Sequence, residues 1–113
     1  MGDTTPLRYL DASRVDGGGY RLEGLPIRGD DEQTLGSLVG VIVEPRARRL
    51  RYFVVNAPAN HNCLVPAGAM HLDRGEGILR LIAIDRSEWQ ECDVSAFREF
   101  SAEDAVDAMF AAA

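Results

Sequence analysis

Apolar residues fall in short, β-branched-rich runs, each closed by glycine, proline or a polar turn. The first strand-like stretch begins at Tyr20. Tyr20, Leu22, Gly24 and Pro26 alternate with Arg21, Glu23, Leu25 and Ile27, an imperfect period of two. Gly29-Asp30-Asp31-Glu32 reads as a polar turn. Leu35 to Glu44 is the next strand, rich in Val39, Val41, Ile42 and Val43, and Pro45, which has no N–H to give a ladder, stops it. Arg46-Ala47-Arg48-Arg49 forms a tip, and Leu50 to Asn56 returns through Tyr52, Phe53, Val54 and Val55. Two such runs around a short turn predict a hairpin.

Further along, Ala57 to Asn62 reads as a loop. Cys63-Leu64-Val65-Pro66 is a short strand ended by proline, and Ala67 to Met70 is one helical turn. Asp73 to Gly77 is a turn, and Ile78 to Ile84 is the last clear strand. Short strands at roughly ten-residue spacing predict a small barrel or sandwich. Residues 1–19 read as an N-terminal lead-in: Leu7, Tyr9 and Leu10 offer an apolar patch to the domain before Gly17-Gly18-Gly19 breaks regular structure. The domain proper spans 20–100. Over 101–113 the period changes. Ser101 with Asp104 three residues on resembles an N-cap with an acid in the first turn, and Val106, Met109 and Phe110 share one helical face. This helix is expected to pack on the barrel or on a partner chain.

In their order and spacing, Leu35 to Glu44, Arg49 to Val55 and Leu64-Val65-Pro66 resemble the PRC-barrel pattern. Asp30-Asp31-Glu32 stands at that pattern's acidic turn, and Glu44 replaces its usual Asp. The resemblance covers about residues 20–85. It implies a mainly β fold, a small antiparallel PRC-type β-barrel with a short C-terminal helix. That fold is similar to the cytoplasmic domain of the photosynthetic reaction centre H subunit and to the C-terminal domain of a ribosome-maturation factor. The resemblance further implies assembly and contact with other macromolecules, without covalent chemistry.

Composition narrows the chemistry. The chain has 113 residues, 46% hydrophobic and 27% charged, the profile of a globular domain with its own core. Net charge is −6, and an acidic chain lacks a global footprint for phosphate. All twelve Lys+Arg residues are Arg, which excludes lysine chemistry. No apolar run is long enough to cross a bilayer, and the polar N-terminus has no secretory h-region, so the expected compartment is the cytoplasm.

Four groups carry candidate chemistry. Arg46, Arg48, Arg49 and Arg51 cluster at the hairpin tip, where guanidinium forks suit phosphates and carboxylates. The competing reading is a solvated tip that discourages edge-to-edge aggregation. His61, Cys63, His71 and Cys92 are metal-ligand types, but no paired ligand spacing is present, and a loop histidine with small buried thiols is the simpler reading. A Cys63–histidine nucleophile is disfavoured because Cys63 opens an apolar strand. Asp30, Asp31 and Glu32 lack the spacing of a calcium loop. Trp89 caps the core or sits in an interface.

The expectation is a non-enzymatic interaction and assembly module with no cofactor, metal or small-molecule substrate. Its candidate partner-binding residues are Arg46, Arg48, Arg49, Arg51, Val106, Met109 and Phe110, and the expected partner is a protein, a second copy included. The alternative is an RNA- or ribosome-associated factor that uses the arginine tip.

Overall fold

The computed structural model describes residues 6–15, 22–29, 32–58, 61–82 and 89–105. Among them are nine strands: β1 Arg8–Asp11, β2 Pro26–Arg28, β3 Thr34–Glu44, β4 Arg49–Ala57, β5 His61–Pro66, β6 Met70–Asp73, β7 Ile78–Leu81, β8 Gln90–Glu91 and β9 Arg98–Glu99. Tight 3-10 turns cover Ala12–Arg14, Pro45–Ala47, Ala67–Ala69 and Val94–Ala96, and a helix begins over 102–105. The chain is mainly β with one short helix, the class its periodicity and the resemblance predicted.

The strand β3 organises the sheet. One of its edges pairs with β4 from Ser37↔Asn56 to Glu44↔Arg49, the predicted hairpin. The other edge is divided. Its first part takes β2, from Pro26↔Ser37 to Arg28↔Thr34, and its second part takes β1, from Asp11↔Gly40 to Arg8↔Val43. The β3–β4 register shifts between Leu38 and Gly40, at the changeover. An irregularity of this kind bends a strand and raises its twist, so β3 can serve two sheet regions. Gly40 allows the close approach this needs. A Cβ there would lie 2.6 Å from the Tyr9 hydroxyl and 2.7 Å from the Leu10 carbonyl oxygen. A glycine inside a strand often marks such a site.

The strand order is β6-β7-β2-β3-β4-β5-β8, with β1 between β3 and β9. Among the described residues this path ends at β6 and β8 without joining them, and two pairs, β2–β7 and β1–β9, are parallel. Among the described residues the sheet is therefore open and mixed, with β6 of 4 residues and β8 of 2 at its ends, where a closed barrel was expected; the mainly β class stands. Beyond β7 the Ile82 N–H donates to Ala69 O at 2.8 Å, so a turn rather than another strand receives the ladder there.

Side-chain alternation along β4 and β5 feeds both faces. Val55 and Val65, with Leu38, face a core of Ile27, Ala69, Met70, Leu79 and Leu81, against which Phe53 and Trp89 pack. Val54 and Ile42 face the opposite way, onto Tyr9, with Tyr52, Leu64, Val94 and Phe97 around them. Because both faces are covered, β3 and β4 read as nearly continuous apolar runs. Val54, Val55, Val65 and Ile42 are fully buried, each contributing about 1.5–3 kcal/mol of transfer free energy.

The ends of the chain are fastened to each other. Strand β1 pairs with β9, and Phe100 N–H donates to Tyr9 O at 2.8 Å. The Arg8 Nε lies 3.2 Å from Asp104 Oδ1. The predicted N-cap is a reciprocal capping box. Ser101 N–H donates to Asp104 Oδ2 at 2.9 Å, and Asp104 N–H donates to Ser101 Oγ at 3.3 Å. Two further Asp-x-Ser turns frame this region. Asp11 accepts from Ser13 and Asp93 from Ser95, each through N–H at 3.0 Å and Oγ at 2.7 Å. These bonds stabilise the charged carboxylates and hold both acids below the usual aspartate range.

Tyr9 closes the second core over Gly40 and is 8% exposed. Its hydroxyl lies 3.4 Å from both Asp11 Oδ2 and the Val39 carbonyl. Burial, and then the Asp11 carboxylate, push its pKa up to about 12. The folded state thus disfavours tyrosinate, and the associated stability is present below pH 10 and lost as pH rises from about 10 to 12. A rise from 10 to about 12 corresponds to roughly 3 kcal/mol. Denaturant titrations across this range should show the wild type losing about that much stability and Tyr9→Phe losing less; equal losses would contradict the assignment.

Candidate functional site

The hairpin tip is built by backbone chemistry first. Pro45 opens the 3-10 turn Pro45–Ala47 and is itself buried, and Arg48 closes it in the left-handed conformation, at φ 52° and ψ 45°. That conformation costs an ordinary L-residue about 1–2 kcal/mol. It directs the chain back into β4 and leaves Arg46, Arg48, Arg49, Leu50 and Arg51 exposed. Leu50 is 42% exposed, one of two large hydrophobic residues so exposed among the described residues; the other is Ile82.

Beneath the tip lies an open groove of about 220 Å³. Leu10, Val43, Pro45, Leu50 and Phe100 supply its apolar surface, while Glu44, Arg48 and Arg49 complete the lining. Four segments converge here: β1 through Leu10, the end of β3, the hairpin tip, and the chain after β9 through Phe100. The pairing of β1 with β3 and β9 assembles the groove, so the site depends on the fastened chain ends.

The four predicted arginines thus separate. Arg48 and Arg49 line the groove. Arg51 turns back across the hairpin, its Nη1 2.9 Å from Glu44 Oε1. Arg46 is exposed at the start of the tip. Val106, Met109 and Phe110 lie outside the described residues. Leu10 and Phe100 were not identified as site residues from sequence. Each is a single half-buried apolar residue, and only the β1–β3 and β1–β9 pairings bring them to the tip.

The other candidates are placed as follows. His61 Nδ1 is 3.3 Å from Glu91 Oε1 across β5 and β8. Cys63 points into the main core side of β5 and is buried, and His71 sits on β6 opposite Arg80. Burial pushes the half-buried Cys92 thiol up, away from a reactive thiolate. Among the described residues no three His, Cys, Asp or Glu side chains come together to hold a metal. Glu32 is engaged with arginine: its Oε1 accepts from Arg80 Nη1 at 2.8 Å. Asp30 and Asp31 lie outside the described residues. Trp89 packs on the main core with its indole N–H buried and without a protein acceptor.

Residues 18–87 match the model of the PRC-barrel domain, more than half of the 113-residue chain. The chain belongs to the PRC-barrel family. Among curated proteins, none matches it. Membership points to a non-catalytic module in general terms. The matched span holds β2 to β7, including the arginine tip, whereas Leu10 and Phe100 lie on either side of it. The groove of this PRC-barrel is therefore composed of family core and flanking chain together. No helix among the described residues is long and apolar enough to cross a membrane.

Arg48 occupies a conformation in which glycine is free of strain. Arg48→Gly should leave chemical-denaturation stability unchanged or raise it by up to about 1 kcal/mol, the αL relief being partly offset by the freer unfolded chain. A loss of more than about 1 kcal/mol would show that the guanidinium supports the fold.

Proposed function

We propose that this PRC-barrel is a non-catalytic contact module. Its contact surface is the arginine tip with the groove of Leu10, Val43, Leu50 and Phe100, and its partner is a protein. One observation carries this reading: an exposed leucine and an apolar groove stand directly beside arginines, with Arg48 kept in a conformation that favours glycine. Apolar surface supplies affinity, while rim arginines supply orientation and electrostatic selection. Arginine is also enriched among residues that dominate interfaces. Backbone strain persisting at an exposed residue fits a functional requirement.

A nucleic-acid partner through the same four arginines is the alternative. The overall charge of −6 weighs against it, because RNA would be repelled by the body of the domain while attracted to its tip. A protein presenting carboxylates beside apolar side chains meets both features of the groove. The cytoplasm is the compartment in which we place this activity.

A photoactivatable amino acid replacing Leu50, expressed in the native host, tests the reading. Protein adducts should form and should disappear when Arg48 and Arg49 are both replaced by Glu. Nuclease-sensitive adducts would establish the RNA alternative, and an absence of adducts would overturn the contact reading.

A further inference from the structure

We propose that the groove beside the arginine tip receives the acidic and apolar C-terminal segment of a second copy of this chain. The inference rests on the reading of the tip as a contact surface and names its occupant. Two copies would exchange tails, each donating residues 103–110 and receiving the same segment.

The groove sets the chemistry of its occupant. Its apolar floor is Leu10, Val43, Pro45, Leu50 and Phe100, and its rim is Arg48 and Arg49 with Glu44, whose carboxylate is engaged by Arg51. The occupant must bring apolar side chains and carboxylates on one face. The chain carries such a segment. Glu103, Val106, Asp107 and Phe110 stand at i, i+3, i+4 and i+7, and a helix begins at 102. Residues at that spacing share one side wherever they are helical. Asp104 does not compete for this role: it is 8% exposed and held by Arg8 and Ser101. Glu103 is exposed.

Geometry favours a second copy over the chain's own tail. Phe100 is itself part of the groove, and its N–H is fixed to Tyr9 O. The Arg8–Asp104 pair then clamps the start of the helix beside β1. Residues 100–104 are thereby held to β1, and a second copy can reach the groove without displacing them. A copy related by a two-fold axis can present its tail from the open side, and the arrangement closes with two identical contacts. Charge supports the same choice. On a chain of net charge −6, an arginine tip meets an acidic tail favourably, whereas two acidic bodies meeting elsewhere repel.

Sedimentation of the full-length chain tests the exchange. The wild type should be a dimer. Arg48→Glu with Arg49→Glu, and separately Glu103→Arg with Asp107→Arg, should each raise the dissociation constant at least about tenfold. An equimolar mixture of the two variants should restore the dimer, because each groove then faces a tail of opposite charge; restoration also shows that both variants are folded. Leu50→Ser and Phe110→Ser, which change no charge, should each weaken the dimer. A monomeric wild type would overturn the exchange, including the case in which the tail covers its own groove, and would leave the contact reading to stand or fall on the Leu50 adducts. A dimer that survives both charge reversals, or a mixture that fails to recover it, would likewise overturn the exchange.

Discussion

The divided edge of β3 is the constraint on which the rest of this molecule depends. One strand pairs with β4 along one side and hands the other side from β2 to β1. The handover needs a register shift near Gly40 and a missing side chain, because Tyr9 and Leu10 approach where a Cβ would stand. Once β1 is seated, its outer edge takes β9, and Arg8 reaches Asp104. The backbone of β3 thereby recruits both chain ends. Tyr9 of β1, with Val94 and Phe97 just before β9, covers the apolar face that Ile42 and Val54 would otherwise expose to water.

The candidate site is a by-product of that recruitment. The hairpin tip alone would be a charged loop on a strand end, where arginines serve solubility. With β1 and the chain after β9 alongside it, Leu10 and Phe100 add apolar surface to Val43 and Leu50. A solvated loop becomes a groove with a cationic rim. The groove uses residues on both sides of the family-matched span 18–87, so family membership alone does not specify its surface.

How much of this was legible in the sequence follows from the strength of each local signal. The β3–β4 hairpin was, since Val39 to Val43 and Tyr52 to Val55 flank a proline turn. The cap at Ser101 and Asp104 was, since capping boxes are set by residues three apart. The strand β1 was read only as an apolar patch within the lead-in; its pairing partner lies some thirty residues away, and period-two patterning says nothing about partners. The two-residue strands β8 and β9 carry no period at all. Closure was not legible, because strand spacing counts strands without fixing whether the two end strands pair. At the site, the arginines were visible as a cluster, but the division of labour was not. That Arg51 would turn to Glu44 while Arg48 and Arg49 line a groove depends on a left-handed residue and on two distant apolar side chains.

Native-state hydrogen exchange, resolved by residue, addresses the divided edge most directly. If β1 and β9 are integral to the sheet, the Phe100 amide bonded to Tyr9 O should open at the same free energy as the amides of the central strands β3 and β4. Exchange of Phe100 and the β1 amides several kcal/mol below the central strands would mean that the chain ends are an independent flap, and neither the second core nor the groove would then be a fixed feature of the fold.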